Sequence, residues 1–267
     1  MERVLEGHRI ETAEFVDDSI MMFGVPAAAF QSAVQGQRVT GTGRKGKYWW
    51  LNFENESFLA GHLGMSGWIR ELGAPTIRLR EHGNAPLEDE TGRPRFLKML
   101  LETDQGRRIA FTDGRRLGRL WLTSDPLQDP RIGKLGPDVF TELPSPSELH
   151  KTLSRRNAPL KALLLDQGLF AGIGNWIADE VLYAAKLSPK RLGSSLSSKD
   201  VRALHDAIES VIATAVSVDA DKEQFPADWL FHVRWGGKSG KDEIGGQAII
   251  REPVGGRTTA WVPTRQK

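Results

Sequence analysis

One stretch of the chain, Asp166–Pro189, constrains the fold most, because its glycines fall between two segments with helical patterns. The segment before it has Pro159 in its first turn and apolar residues at helical spacing, which predicts a short helix. The turn at Gly172–Asn175 then leads into a second helix, for which Asn175 is a favoured N-cap. Two close helices joined by a turn with free backbone N–H groups can bind phosphate. An ordinary αα-hairpin has the same pattern, and spacing alone favours the hairpin.

Composition excludes several kinds of site. The 267 residues suffice for one large or two smaller domains, and a hydrophobic share of 39% suffices for a core. A formal net charge of +2 permits a basic groove without making the chain a polycation. There is no cysteine and the histidines lack ligand spacing, so we expect no disulfide, thiolate nucleophile, metal or cofactor. No membrane-length apolar run or signal-peptide pattern is present, so we expect an intracellular protein that does not enter a membrane.

The rest of the chain separates into a β-rich half and a mainly helical half. Short strand-like runs between Gly, Asn and Asp clusters predict an antiparallel β-sandwich or barrel. We expect a β domain over 1–125, a proline-rich linker over 126–146, a helical domain over 147–225 and a small β-hairpin element over 226–267. The predicted strands are Arg38–Thr40, Tyr48–Phe53, Ser57–Leu63, Trp68–Leu72, Phe96–Thr103, Arg108–Thr112, Leu120–Thr123, His232–Trp235, Ala248–Arg251 and Arg257–Val262, with a polar loop at Gly73–Arg95 and a helix near Ser197.

Two segments of the β-rich half could carry chemistry, one through its cations and the other through an apolar loop tip. Arg44–Trp50 places three cations beside a strand, and alternation would turn Lys47 away from Tyr48 into a groove. A solvated turn before a core strand explains the same residues. The loop His62–Gly67 carries Met65 at its tip, and an apolar tip can wedge between DNA bases. A methionine buried under a hairpin is the alternative.

Two further turns carry similar side chains. Asp113–Gly118 has paired arginines and an apolar neighbour, and Gly256–Trp261 has one cation and two hydroxyls at a hairpin tip. Each signal is weak alone. Together they are typical of a protein that holds a nucleic-acid backbone and inserts side chains into the base stack.

The motifs jointly resemble the formamidopyrimidine-DNA glycosylases of the Fpg/Nei family. The segments RKGKYWWL, HLGMSG, FTDGRRLGRL, LKALLLDQGLFAGIGNWIADEVLYAAKLSP and GGRTTAWVP follow the family's order across nearly the whole chain. The resemblance is closest to the plant and fungal branch, whose C-terminal hairpin lacks zinc-binding cysteines. It implies an α+β fold, with an N-terminal antiparallel β-sandwich domain and a C-terminal helix–two-turn–helix domain that ends in a zincless β-hairpin finger.

The resemblance also implies an activity. Family members are base-excision-repair DNA glycosylases and AP lyases that flip out oxidised or ring-opened purines, such as 8-oxoguanine and formamidopyrimidine. They excise the base through an imine and cut the strand by β,δ-elimination. The implied partner is double-stranded DNA with a damaged base or abasic site. The expected state is a monomer in the nucleus.

Individual residues match positions that have known roles in the family. Lys47 and Arg257 match catalytic positions that contact phosphate and assist strand cleavage. Met65, Arg116 and Leu117 match the residues that intercalate into the gap left by the flipped nucleotide, although the family usually has Phe where Leu117 stands. The DNA-binding positions implied by the resemblance are His62, Arg116, Lys161, Gly174 and Asn175.

The N-terminus departs from the family pattern. The family begins with a Pro-Glu pair whose proline amine forms the imine, whereas this chain starts at Met1 and its first proline is Pro26. The alignment leaves about eight earlier helical residues unmatched, a length of about 12 Å. We therefore expect the Met1 amine to fall short of the pocket and this polypeptide to form no imine. Two explanations are open: the sequence starts at an internal Met of a longer enzyme, or the chain is a natural short form that binds damaged DNA without cleaving it. We favour the first, because the other contacts are retained.

Overall fold

The computed structural model describes residues 1–75, 85–236 and 242–267. They form two compact units, Met1–Lys134 and Leu135–Lys267. The predicted loop at Gly73–Arg95, and the turn expected before Ala248, lie partly outside the described residues. Within the described ranges, none of the helices is both long enough and apolar enough to cross a bilayer.

In the described part of the first unit, eight strands form two antiparallel sheets of four strands. The sheet orders are β1-β6-β7-β5 and β2-β3-β4-β8. This confirms the predicted α+β class with an antiparallel N-terminal domain. The strands are β1 Ile10–Phe15, β2 Val39–Lys45, β3 Tyr48–Phe53, β4 Phe58–His62, β5 Trp68–Glu71, β6 Leu97–Thr103, β7 Arg108–Thr112 and β8 Arg119–Thr123, and the helices are α1 Glu2–Leu5 and α2 Ala27–Val34.

The two sheets share one hydrophobic core. Alternate residues of β3 and β6 are buried, as expected for strands with one face against a core. Side chains from both sheets meet there, including Leu51 and Phe53 from one and Met99 and Leu101 from the other. This core fixes the strand ends from which the functional loops emerge.

Two strands differ from the prediction for physical reasons. No strand was predicted at β1, where a small Ala13 and a bulge after Ile10 weaken the alternating pattern. Strand β2 runs past the predicted Thr40 to Lys45, through glycines that resemble a turn in the sequence. The indole of Trp50 covers Gly43, where an added Cβ would lie 2.1 Å from the ring. The glycine therefore makes room for the cross-strand tryptophan instead of breaking the strand.

The second unit is helical and ends in short strands. Its helices are α3 Pro146–Leu153, α4 Leu160–Leu165, α5 Asn175–Ala184 and α6 Ser198–Ser217, and its strands are β9 Glu243–Ile244, β10 Gln247–Ala248, β11 Ile250–Val254 and β12 Arg257–Trp261. The predicted helix near Ser197 is confirmed, with Ser197 and Asp200 forming a capping box. Its stripe of apolar residues packs against α3 and α5.

The prediction of a strand at His232–Trp235 is wrong. A short 3-10 turn, Leu230–His232, lies there instead. The buried carboxylate of Glu180 accepts hydrogen bonds from the backbone N–H groups of Leu230 (3.1 Å) and Phe231 (2.8 Å). Two adjacent N–H groups that point at one carboxylate fit a helical turn and not an extended strand.

Candidate nucleic-acid interface

In the first unit, two neighbouring loops each present an exposed apolar side chain. The 62–67 loop joins β4 to β5 and carries Met65, which is 53% exposed. The 113–118 loop joins β7 to β8 and carries Leu117, which is 42% exposed. We call these two segments the wedge loops. Neighbouring exposed apolar side chains indicate a surface that meets a partner.

A buried carboxylate ties the wedge loops together. Asp113 is 1% exposed and accepts a hydrogen bond from the Ser66 hydroxyl at 2.6 Å. It also accepts from the backbone N–H groups of Arg115 (3.1 Å) and Gly118 (2.7 Å). One side chain thus joins one loop to the other and closes the turn of its own loop. Sequence patterns gave Asp113 no role.

The wedge loops also touch through their backbones. Gly64 has a φ of +64°, and a Cβ built there would lie 2.6 Å from the backbone carbon and oxygen of Leu117. Only glycine combines this conformation with so close an approach. The positions of Met65 and Leu117 are therefore coupled.

Arg116 is held by an aspartate that the sequence analysis did not identify. Its Nε and Nη2 atoms each donate to Asp18 at 2.8 Å, while 47% of its side chain remains exposed. The Lys98 ammonium donates to the same carboxylate at 2.9 Å. The Arg116 guanidinium, aided by Lys98, holds the pKa of the Asp18 carboxyl well below its usual range. These hydrogen bonds hold the side chain of Arg116, which the resemblance predicts to intercalate, in one position.

His62 stands at the edge of the wedge loops as a neutral donor. The backbone N–H of Gly64 donates to its Nδ1 at 2.9 Å, so the ring proton is assigned to Nε2. Burial, with help from the charges of Lys47 and Arg119, lowers the pKa of the His62 imidazole. The ring packs on Tyr48 with centroids 4.9 Å apart. Near neutral pH, His62 therefore offers an N–H group without a positive charge.

Lys47 lies in a turn, and this corrects the expectation based on strand alternation. Strand β2 ends at Lys45 and β3 begins at Tyr48, so Lys47 occupies the tip between them and is exposed. Its charge acts on the nearby imidazole of His62. The structure therefore places Lys47 with His62 and the wedge loops, on the same unit.

In the second unit, the start of α5 meets the C-terminal hairpin. The N-cap is Gly174, so the prediction that Asn175 caps the helix is wrong by one residue. The Asn175 side-chain amide instead donates to the backbone oxygen of Thr258 at 3.2 Å. The hairpin tip is fixed on α4, because a Cβ at Gly255 would lie 2.8 Å from the Cβ of Ala162. Exposed Arg257 at this tip is therefore held beside the N-terminus of α5. We call the surface formed by Gly174, Asn175 and Arg257 the α5 patch.

Lys161 lies in the protein interior behind the α5 patch and does not reach the surface. The side chain is fully buried, and its ammonium donates to the backbone oxygen of Asn175 at 2.8 Å and to Asp179. Asp179 also accepts from Arg234 Nε at 2.7 Å and from the Ala260 N–H at 3.2 Å. Burial lowers the pKa of Lys161 to about 8, against the attraction of Asp179. The resemblance implied a direct contact between Lys161 and DNA phosphate, and its burial shows that this is wrong. Lys161 instead supports the backbone at the start of α5.

Met1 lies away from the wedge loops within the same unit. Arg107 donates to the backbone oxygen of Arg3 at 2.8 Å and to Glu71 Oε1 at 2.9 Å, so the N-terminal segment lies at the far end of β5 from the 62–67 loop. Strand β5 alone spans about 10 Å at about 3.3 Å per residue. Among the described residues, no group of three His, Cys, Asp or Glu side chains could hold a metal ion.

Sequence profiles and relatives point to one family of DNA-repair proteins. The profile of the formamidopyrimidine-DNA glycosylase N-terminal domain matches residues 1–120, and that of the H2TH domain of the same proteins matches residues 135–226. A formamidopyrimidine-DNA glycosylase of Arabidopsis thaliana is 38% identical over 98% of this chain and 66% of that protein. One from Heliobacterium modesticaldum is 32% identical over 92% of this chain and 88% of that protein.

Solved structures share the fold. A Lactococcus lactis formamidopyrimidine-DNA glycosylase, bound non-covalently to DNA with an AP site, matches with a TM-score of 0.79 and 23% identity. The same bacterial protein in complex with DNA that contains FAPY-dG matches with a TM-score of 0.78 and 23% identity. Both matches cover 100% of this chain and 95% of the other.

Proposed function

We propose a function for this chain from one premise: it belongs to the formamidopyrimidine-DNA glycosylase family. Its function is to excise oxidised or ring-opened purine bases from double-stranded DNA and to act on the abasic site that results. The relatives that cover most of their own length in the match are named as glycosylases, so a binder without cleavage activity is not favoured.

The coupled wedge loops carry this proposal. Turning a damaged nucleotide out of the duplex leaves a gap and costs a few kcal/mol of stacking. Met65 and Leu117 are exposed apolar side chains of suitable size to fill that gap. Because Asp113 and Gly64 hold the two loops together beforehand, little ordering entropy is lost when they insert.

The α5 patch supplies phosphate contacts. The first backbone N–H groups of an α-helix have no acceptor within the helix, so those at the start of α5 can bind an anion, and the helix dipole favours negative charge there. Arg257 is exposed, and no carboxylate of the described ranges pairs with it. A guanidinium beside a helix N-terminus is a strong site for one or two backbone phosphates.

Lys47 and His62 complete the phosphate contacts on the first unit. The Lys47 cation can stabilise the charge that develops on a phosphate as it leaves during β- or δ-elimination. His62 can donate its Nε2 hydrogen to a phosphate oxygen while the imidazole is uncharged. We assign these residues to binding and elimination. We assign the imine-forming nucleophile to none of the side chains described above.

Base release tests the proposal. The protein is incubated with duplexes that contain 8-oxoguanine, a formamidopyrimidine base or no damage, and both the free bases and the binding of each duplex are quantified. We expect release from both damaged duplexes and none from the intact one. Damage-selective binding with no release would contradict the glycosylase assignment and support the binder instead. Equal binding to all three duplexes would refute both.

A further inference from the structure

We propose that Asp18 is the positioning residue that holds Arg116 ready for a base edge. The inference deepens the proposed function and rests on it, because it concerns how the wedge loops read DNA. Asp18 lies just after β1, and no motif marks it in the sequence. Its partner Arg116 is 98 positions away in the chain.

The geometry leaves one edge of the guanidinium free. Asp18 binds Arg116 side-on, through Nε and Nη2 at 2.8 Å each. This pairing uses two of the five N–H groups of an arginine. The opposite edge, formed by Nη1 and the second Nη2 hydrogen, meets no hydrogen-bond partner among the described residues, and the side chain is 47% exposed. Arg116 can therefore bind DNA without releasing Asp18.

Asp18 itself is fixed from several directions. Its side chain is 2% exposed and also accepts from Lys98 Nζ at 2.9 Å. The backbone N–H groups of Ile20 (3.2 Å) and Met21 (3.1 Å) donate to it as well. Strand β8 anchors this turn, because the Leu120 N–H donates to the Met21 oxygen at 3.0 Å. The carboxylate is thus a rigid anchor for a long, flexible side chain.

The backbone and the charge of the cluster support the same role. Arg116 has a φ of +57°, in the left-handed region that residues with a Cβ seldom adopt. The ion pair stabilises this conformation. Two cations face one carboxylate, so the cluster keeps a net charge of +1 and still attracts DNA.

A fixed guanidinium edge predicts discrimination between bases. Two parallel N–H donors match a base edge that presents two acceptors, and each good bidentate pair discriminates strongly against other bases. A freely rotating arginine would still attract phosphate but would lose that selectivity. Removing Asp18 should therefore reduce base discrimination more than overall affinity.

The test measures affinity for four duplexes, each with an abasic analogue opposite A, C, G or T. Fluorescence anisotropy gives Kd for the wild type, Asp18→Asn, Arg116→Ala and the double variant. We define the spread as the ratio of the highest to the lowest Kd among the four duplexes. We expect Asp18→Asn to reduce this ratio by roughly tenfold, the size of a typical coupling between contacting residues. We expect the double variant to match Arg116→Ala alone.

A matched control comes from the same unit. Glu71 binds Arg107 side-on at 2.9 and 3.1 Å, at the far end of β5 from the wedge loops. Glu71→Gln removes a similar ion pair and should leave the spread unchanged. If Asp18→Asn fails to fold because Lys98 loses its partner, Asp18→Asn/Lys98→Gln removes both charges and takes its place.

The outcomes separate this inference from the proposed function. If Arg116→Ala removes the spread and Asp18→Asn keeps it, the positioning role is wrong. A wild type with no spread overturns it as well. A fifth, intact duplex is titrated alongside the four, and if the wild type binds it as tightly as the abasic-analogue duplexes, the proposed function itself fails. An equal narrowing by Glu71→Gln would show a general loss of stability and would also overturn the inference.

Discussion

Glu180 is a single buried residue whose protonation we expect to affect stability. It accepts two backbone hydrogen bonds, yet burial raises its pKa to about 8 from an ordinary value of 4.5. Between these values the folded protein keeps a proton that the unfolded chain has lost. The stabilisation from this proton is complete below about pH 4.5 and is lost as the pH rises through about 8.

We therefore expect Glu180→Gln to flatten the dependence of unfolding free energy on pH between about pH 5 and about pH 8. Urea unfolding across that range measures it, with Glu209→Gln on the exposed face of α6 as control. Wild-type stability should fall with rising pH, as should that of the control. A wild-type curve parallel to that of Glu180→Gln would show that Glu180 is ionised in the folded protein.

Arg257 is the residue of the α5 patch best placed to hold phosphate. Replacing Arg257 with Ala should weaken DNA binding and reduce the salt slope, log Kd against log salt, by about 1, because one fewer counterion is released. Arg202→Ala, which removes the same charge from the exposed face of α6, should leave the slope unchanged. An unaltered slope for Arg257→Ala would remove this residue from the phosphate contacts.

Residues with local signals were easier to predict than those that support them. Met65 and Leu117 stand in glycine-flanked turns that can be recognised in the sequence. Asp18 and Asp113 also bind groups 98 and 47 positions away, and no local pattern points to those distant contacts. Lys161 was predicted as a contact, but its burial depends on Asp179 and Arg234, which only the folded chain brings together.

At the scale of elements, the wedge loops behave as one unit. Gly64 and Gly106 both adopt left-handed conformations, with φ of +64° and +70°. A Cβ at Gly64 would collide with the backbone of Leu117, whereas one at Gly106 would meet nothing within 4 Å. A substitution at Gly106 therefore introduces backbone strain alone, whereas one at Gly64 also introduces a collision between the two loops.

We expect Gly64→Ala to reduce affinity for a duplex with an abasic analogue by roughly tenfold, because the loops must separate. Gly106→Ala should cost about 1 kcal/mol of stability and leave DNA binding unchanged. Anisotropy titrations and thermal melts of both variants check this. Equal affinities for the two variants would contradict the coupling of the loops.

Elements with strong local propensity were predicted well, and those fixed by distant contacts were not. Strand β3 matches its predicted bounds because aromatic residues, which favour strands, dominate its sequence. The turn at Leu230–His232 was missed because a carboxylate on α5 fixes it. The first residue of α5 was misplaced because the amide of Asn175 bonds to the hairpin instead of capping its own helix.

At the scale of the molecule, each unit has its own core and one candidate surface. The first unit carries the wedge loops with Lys47 and His62, and the second carries the α5 patch. The sequence motifs of the two surfaces are each weak, but they follow the family's order along the chain. Together they therefore indicated the family. The contacts that order each surface come from packing within the unit, which motif spacing does not encode.

The central claim is that Met65 and Leu117 fill the gap left by a flipped nucleotide. Competition titrations give the ratio of affinities for an abasic-analogue duplex and an intact duplex. The wild type should prefer the abasic analogue by at least about tenfold, and Met65→Ser/Leu117→Ser should bring the ratio close to one while keeping affinity for intact DNA. An unchanged ratio in the double variant would contradict the claim.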